Sequence, residues 1–198
     1  MTNKKGDIWV SAVLYFGLGI IIITILLTAG LPVINKLRDK NIAIQTKEAF
    51  HILDQNIREV LKGGPGTQRV VTLNIKKGQF KINDASVALD ADKNTITWAY
   101  NSKIFLTEPS EINAPLIFVR DGNINVATAK STTKGSYDIT FKLSYNDIAA
   151  INPGAATRLI TISGLGDISI RNGGPVQSPL DPTNPDKRIK LFIVEAGR

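Results

Sequence analysis

The order of apolar and polar positions divides the chain into three parts, of which the first is the most distinctive. No side chain from Ile8 to Ile34 is charged, and as a helix this run would be apolar on every face. Its helical length, about 40 Å at 1.5 Å per residue, exceeds the roughly 30 Å hydrocarbon core of a bilayer. A core helix of a soluble protein has little reason to be apolar all round over that length. We therefore expect a membrane-spanning helix over residues 7–34.

The second part, residues 35–62, has an amphipathic pattern. Apolar residues recur there at steps of three to seven among charged and polar ones: Leu37, Ile44, Phe50, Leu53, Ile57 and Leu61. The glycine- and proline-rich run 63–66 follows, which is a typical helix stop. No Gly-Lys-Ser/Thr comes after it, so it does not match a phosphate-binding loop. The pattern predicts that the helix continues to residue 62 and packs an apolar stripe on the rest of the chain.

From residue 67 to residue 198 the apolar period falls to two, which predicts short strands with Gly and Asn/Asp turns. The clearest strand runs from Tyr137 to Tyr145. We expect a turn at Lys77-Gly78, a hairpin through residues 164–167, a long loop over 172–187, and a central strand at 116–119, which is apolar on both faces. Together these predict an antiparallel β-sandwich-like head and an α+β fold.

Composition restricts the classes of function. The chain has no cysteine, so disulfides and thiolate metal sites are excluded. Its formal net charge is +7, but the basic residues are scattered and form no dense run of the kind that binds nucleic acid. The simplest interpretation of this positive charge is a solvated basic surface. The alternative is contact of Lys36, Arg38 and Lys40 with anionic lipid head groups.

Candidate chemistry is sparse. The single histidine, His51, lies on the amphipathic helix within helical reach of Asp54, a placement more typical of a surface residue than of a catalytic pair. The run from Asp90 to Asn94 begins like a calcium loop, but Thr95 and Asn101 stand where such a loop has Gly and Glu, so a hairpin turn explains it better. We predict no catalytic residue, no cofactor and no metal, and hence no enzyme.

A short basic leader precedes the apolar helix: Lys4, Lys5 and Gly6, followed by Asp7. An ordinary signal peptide has a shorter apolar region and a small-residue cleavage site, so it does not fit. The arrangement resembles the class III signal peptide of type IV pilins, most closely that of archaeal pilin-like proteins. The resemblance implies that a membrane prepilin peptidase cuts between Gly6 and Asp7, removes residues 1–6 as a leader and leaves the apolar helix on the mature protein.

The resemblance also identifies residues of a filament-assembly helix. Ser11 stands at the fifth mature position, where bacterial pilins have a Glu, so the match is to the archaeal rather than the bacterial pattern. Small residues allow close helix packing in an apolar medium, and Gly30 with Pro32 either kinks the helix or is merely tolerated there. The assembly residues are Ile8, Trp9, Ser11, Tyr15, Gly17, Gly19, Gly30 and Pro32.

The function that the resemblance implies is structural. The chain would be a major or minor subunit of a surface filament, with other copies of itself, the prepilin peptidase, an assembly platform protein and an assembly ATPase as partners. Its head would lie outside the cell and serve in adhesion. The flanking charges favour the opposite orientation, because more basic residues follow the apolar run than precede it. The alternative function is a permanently membrane-anchored β-sandwich binding protein that is neither processed nor polymerised.

Overall fold

A computed structural model describes residues 4–84, 92–152, 162–176 and 186–195, without the side chains of 4–8, 162–163, 186–188 and 195. Its first element is helix α1, Lys4–Lys62, which is continuous over 59 residues and about 90 Å long at 1.5 Å per residue. The expected boundary between residues 34 and 35 therefore does not separate two helices. It is the point at which the surface of one helix changes from apolar on all sides to amphipathic. Pro32 lies inside α1 and does not end it.

The end of α1 is set by its glycines, as expected. The backbone N–H of Gly63 donates to the carbonyls of Glu59 and Val60 at 3.0 and 3.3 Å. Gly64 and Gly66 follow with φ of 80° and 90°, a left-handed conformation that side chains with a Cβ rarely adopt. The chain thus turns sharply away from the helix axis and enters the sheet.

The strands pair in one sheet. They are β1 Gln68–Asn83, β2 Thr95–Ser102, β3 Val119–Asp121, β4 Ile124–Lys130, β5 Tyr137–Ser144, β6 Ala149–Asn152, β7 Ile162–Val176 and β8 Asp186–Glu195. Their spatial order in this eight-stranded sheet is β3-β4-β5-β2-β1-β7-β8-β6. The fold is therefore α+β, a long apolar N-terminal helix followed by a strand-rich head.

The sheet is mixed rather than antiparallel throughout. Neighbouring strands pair antiparallel along the order except at one end, where β6 pairs parallel with β8, Ala149 opposite Ile189. The expectation of a purely antiparallel head is wrong at this pair. A sandwich of two sheets is not confirmed, because the described strands form a single hydrogen-bonded order.

Two expected turns lie inside long strands. Lys77 and Gly78 belong to β1, at an irregularity in its pairing. Residues 68–75 pair with β7, the register then shifts so that Phe80 pairs with Ile162 of β7, and residues 79–83 pair with β2 on the other side. Gly164 likewise lies within β7, opposite Ile75, so no hairpin forms at 164–167. In the sequence these glycines interrupt the apolar alternation and therefore suggested turns. In the structure they lie at irregular points within continuous strands.

The apolar run 116–119 is not central. Only Val119 of this run is in a strand, and β3 lies at the edge of the sheet with its residues exposed. Leu116, Ile117 and Phe118 are exposed as well. A run that is apolar on both faces resembles a buried central strand, but here it forms an uncovered edge. The loop predicted over 172–187 begins later than expected, because β7 extends to Val176, and its residues 177–185 lie outside the described part.

The core lies between the second half of α1 and one face of the sheet. Phe50 of the helix packs against Phe80 and Phe141, with ring centroids 6.1 and 6.0 Å apart. Trp98 extends this aromatic cluster, 6.2 Å from Phe141. Burying this surface from water holds the helix on the sheet.

The buried stripe of α1 differs from the predicted one. Leu37 and Ile44 were expected to pack on the head, but they are 62% and 56% exposed. Most of the buried positions recur at alternating steps of four and three, as a heptad pattern requires: Asp39, Ala43, Thr46, Phe50, Leu53, Ile57 and Val60, with Ile42 and Asp54 buried beside them. The prediction missed this phase because Asp39 and Thr46 on the stripe, and Asp54 beside it, are polar.

Candidate functional site: the long helix and its attachment to the head

The residues predicted for proteolytic processing lie at the start of α1. Lys4, Lys5, Gly6 and Asp7 form its first turn, and Ile8 follows in the same helix. Their side chains lie outside the described part of the structure. The backbone at the predicted cleavage point is therefore helical, and nothing described here tests the cleavage itself.

The apolar half of α1 makes no packing contact with the head. Trp9 and Tyr15 are 76% and 75% exposed, and Ser11 and Pro32 are exposed too. An 18-residue window of this helix has a mean hydropathy of 2.6 and no buried part, so by length and composition it is able to cross a membrane. So large an apolar surface is not stable in water, which means that lipid or another protein must cover it.

The three glycines in the apolar half of α1 have open space around them. A Cβ placed at Gly17, Gly19 or Gly30 would meet no atom within 4 Å outside the helix's own backbone. These positions thus serve no packing role within the chain. They leave shallow places on the helix surface where a second backbone is able to approach closely.

Two threonine hydroxyls in the apolar half are satisfied within the helix. The hydroxyls of Thr24 and Thr28 donate to the carbonyls of Ile20 and Thr24 at 2.8 and 2.7 Å. Such bonds allow threonine to enter an apolar environment without an unpaired donor. These threonines therefore do not oppose insertion into lipid.

A first polar anchor joins α1 to the head five residues after the apolar run. Asp39, which is only 5% exposed, accepts hydrogen bonds from Lys77 Nζ at 2.9 Å and from the backbone N–H of Lys103 at 2.6 Å. The Ser102 hydroxyl lies 3.3 Å from the same carboxylate. Burial raises the pKa of Asp39, but the hydrogen bonds and the charge of Lys77 outweigh it and hold the pKa below its usual value. Asp39 is thus a buried carboxylate with its charge paired.

Burial, together with the charge of Asp39, raises the pKa of the nearby Tyr100 hydroxyl. Tyr100 therefore stays neutral beside the anchor. Its ring stacks on Phe141 at 6.5 Å between centroids, which links the polar anchor to the aromatic core.

A second anchor lies at Asp54, 4% exposed, in the middle of the packed half. Its oxygens accept from Arg58 Nε at 2.9 Å, from Asn123 Nδ2 at 2.7 Å and from the Tyr145 hydroxyl at 2.9 Å. Burial and then the charge of Asp54 raise the pKa of Tyr145 well above its usual value, so the phenol remains a donor. This anchor joins α1 to the β3–β4 turn and to the end of β5.

A third anchor caps the end of α1. Asn172 of β7 is buried, and its amide donates to the carbonyls of Val60 and Leu61 at 3.1 and 3.4 Å. Its side-chain oxygen accepts from the Gly174 N–H at 2.8 Å. The last carbonyls of a helix lack partners within the helix, and here the sheet supplies one. The helix end is therefore fixed to β7.

An apolar cleft opens beside the packed half of α1. It has a volume of about 280 Å³ and is lined by Ala43 and Ile44 of the helix, by Leu106, and by Val119 and Val126 of the sheet edge, with Phe141 deeper in. The Lys47–Asp121 ion pair lies at its rim. The cleft exists because the sheet extends beyond the width that the helix covers.

Among the described residues, those considered for catalysis or metal binding form no catalytic pair and no metal site. His51 is exposed, while the carboxylate of Asp54 is occupied by the three donors of the second anchor. Asp90 lies outside the described residues, and Asp92 pairs with Lys142 Nζ at 2.8 Å. Within the described part of the chain, no three His, Asp or Glu side chains lie together as metal ligands.

Comparison with known proteins finds no relative: no protein-family model, no curated protein and no solved structure matches this chain. The function must therefore be argued from the residues and the fold.

Sequence reasoning missed the residues that attach the helix to the head. The sequence pattern placed Asp54 on the charged face of the amphipathic helix and Asn172 in a loop, and it did not single out Asp39. A signal was nevertheless present, because Asp39 falls on the heptad stripe that includes Phe50, Leu53 and Ile57, and Asp54 directly follows Leu53. A carboxylate at such a position indicates a buried, paired charge.

Proposed function

We propose that this chain is a structural subunit, major or minor, of a type IV pilus-like surface filament, matured by cleavage after Gly6. The observation that carries the proposal is the division of α1. Its first half exposes an apolar, charge-free surface on all sides, while its second half is fixed to the head at Asp39, Asp54 and Asn172. A subunit with a protruding apolar helix and a firmly attached head is suited to pack helix against helix with its copies.

The helix would lie in lipid before assembly and among other helices after it. Lipid is already apolar, so the exchange is driven by packing between helices rather than by exclusion of water. The open surface at Gly17, Gly19 and Gly30 supports close packing, because a neighbouring helix meets no side chain there. The head would then coat the filament outside the cell and be available for adhesion.

The partners come from the resemblance to archaeal pilin-like proteins. They are a prepilin peptidase acting at Lys4-Lys5-Gly6-Asp7, an assembly platform protein and an assembly ATPase. The role proposed is structural and not enzymatic.

The first experiment is the intact mass of the protein from native membranes and from sheared surface material. Loss of residues 1–6, with Asp7 as the new N-terminus, is the expected result. A mass that retains Lys4, Lys5 and Gly6 in both fractions would overturn the proposal.

Gly6→Leu tests whether cleavage is required for assembly, because a large side chain at this position should exclude the peptidase. We expect the full-length mass and no sheared filament material. Thr2→Leu is the matched control: it adds the same side chain to the same leader, leaves Gly6 intact and should be processed normally. Filaments containing uncut Gly6→Leu protein would contradict the proposal.

A second candidate function is a permanently anchored surface binding protein. The apolar cleft and the exposed run 116–119 favour it, since a subunit that only coats a filament needs neither. It predicts an uncut N-terminus and no protein in the sheared fraction.

A further inference from the structure

Basic side chains surround the point where α1 leaves its apolar half. Lys36, Arg38 and Lys40 follow Ile34 within six residues, about 9 Å along the helix, and all three are exposed. Lys36 and Lys40 share one face, while Arg38 lies on the opposite side, so positive charge encircles the helix. These three basic positions are already evident in the sequence.

The head brings further positive charge to the same level. The backbone N–H of Lys103 lies 2.6 Å from Asp39 Oδ2, which places the end of β2 beside the helix one residue before Lys40. Lys103 is an exposed residue, and its ammonium donates to Ser136 Oγ at 2.8 Å in a partly buried bond to a neutral partner, which does not offset its charge. Ser136 closes the turn that carries exposed Lys134, held by a bond from its N–H to the Thr133 carbonyl at 3.1 Å.

Part of the negative charge at this level is neutralised by local partners. Asp39 is buried, and its ion pair with Lys77 offsets both charges, as the pair of Glu111 with Lys130 does at 2.6 Å. The exposed Asp138 accepts only from a neutral amide, that of Asn101 at 2.9 Å, and Glu108 is exposed as well. The exposed basic residues at this level are Lys36, Arg38, Lys40, Lys103 and Lys134, so the balance of outward-facing charge is positive.

The length of the apolar run provides a reason for the head to meet a bilayer surface. Its roughly 40 Å exceeds the hydrocarbon thickness by about 10 Å, and a helix accommodates such an excess by tilting. A tilt of roughly 40° would match the lengths, at the upper end of the usual range. Because the head is attached to one side of α1 at Asp39, tilting toward that side lowers Lys103 and Lys134 onto the lipid head groups.

We propose that Lys36, Arg38, Lys40, Lys103 and Lys134 form a basic collar that docks the head on an anionic lipid surface, with α1 tilted toward the head. The collar binds lipid phosphates through lysine and arginine charge. This inference rests on the membrane-anchoring part of the proposed function and is independent of cleavage and of filament formation.

The absence of cysteine allows a clean test with the full chain in vesicles. Thr133→Cys carries a single fluorophore beside Lys134, and a nitroxide on the lipid head group quenches it at short range. Quenching is expected to be stronger in phosphatidylcholine mixed with phosphatidylglycerol than in phosphatidylcholine alone, and to weaken in high salt. Charge reversal by Lys103→Glu with Lys134→Glu should shift the docking equilibrium by at least about five-fold per lysine.

Two controls make the result specific. Lys62→Glu with Lys190→Glu changes the net charge equally, far from the collar, and should leave quenching unchanged. Co-flotation of the chain with the vesicles is measured in the same samples. Equal quenching in both lipids, or no effect of the collar substitutions, overturns docking while leaving anchoring intact. A chain that does not co-float overturns docking together with the membrane-anchoring part of the proposed function.

Discussion

At the scale of single residues, buried carboxylates define how the helix meets the head. Burying a charge is costly unless a paired charge and hydrogen bonds compensate it. Asp39 and Asp54 each have such partners, and these come from strands and turns distant in sequence. An apolar residue at either position would pack on the head but would not determine the position of α1 along its own axis relative to the sheet. The directional bonds of the two aspartates therefore favour one such position.

Asp39→Asn should destabilise the head by roughly 1–3 kcal/mol, because it removes the ion pair with Lys77 and weakens two further bonds. The pKa of Asp39 is lowered in the folded state, so its contribution is present above the usual aspartate pKa and is lost as pH falls through the folded pKa. Denaturant unfolding of the detergent-solubilised protein at neutral and acid pH measures both effects, and the variant should be less sensitive to acid.

Asp121→Asn is the control for this prediction. Asp121 also pairs with a lysine, Lys47, but both side chains are about half exposed, so the loss should stay under about 1 kcal/mol. An equal loss of unfolding free energy in Asp39→Asn and Asp121→Asn would show that burial does not strengthen the interactions of Asp39.

At the scale of elements, β1 depends on one glycine. Gly78 has a φ of 93°, and a Cβ there would collide with the carbonyl oxygen of Ala99 in the neighbouring strand. This close approach lies at the register shift in the pairing of β1 with β7, directly before the residues of β1 that pair with β2.

Gly78→Ala should therefore lower the free energy of unfolding by well over the roughly 1–2 kcal/mol that positive φ alone costs. Gly135→Ala is the matched control, because Gly135 has a φ of 70° and open space around it. Thermal unfolding followed by circular dichroism compares the two. If Gly78→Ala lowers the free energy of unfolding no more than Gly135→Ala does, the close approach to Ala99 does not contribute to stability.

The end of α1 is held by the side chain of a single residue of β7, Asn172. Asn172→Ala leaves the Val60 carbonyl without its side-chain donor and should cost about 1–2 kcal/mol. Faster amide hydrogen exchange in the last turn of α1 is the expected signature. Asn56→Ala is the control, because the Asn56 amide donates to the Ile52 carbonyl and its oxygen accepts a 3.5 Å bond from Arg69 of β1, but neither group bonds the last carbonyls of α1. Exchange near Gly63 should therefore not change. Identical exchange in both variants would mean that β7 does not hold the helix end.

At the scale of the whole molecule, one continuous helix serves two surroundings. Its first half exposes apolar side chains and its second half buries them. The full chain should accordingly partition into the detergent phase, whereas a fragment beginning at Lys36 should remain in the aqueous phase, as shown by detergent phase separation. Recovery of the full chain in water as a monomer would contradict this, because so large an apolar surface requires cover.

Much of the architecture follows from the sequence alone, and the reason is local. A charge-free run, its transition to an amphipathic pattern, and the glycines at 63–66 determine the long helix and its end, since each acts through neighbouring residues. The alternation from Tyr137 to Tyr145 likewise predicted β5. The interpretation of Lys4, Lys5, Gly6 and Asp7 as a processing site also comes from the sequence alone, because it depends on the order of residues and on no feature of the fold.

Only the tertiary structure decided which strands are central, where strands end and which helix face is buried. The run 116–119 lies at an edge, and Gly164 lies inside a strand, because pairing partners distant in sequence determine both. The buried face of α1 includes Asp39, Asp54 and Thr46, which by polarity alone would be placed on the outer face of the helix. The heptad spacing indicates a buried position for Asp39, but the partners, Lys103, Asn123 and Tyr145 among them, are distant in sequence and meet the helix only after folding, so the bonds of the anchors were not predictable from the sequence.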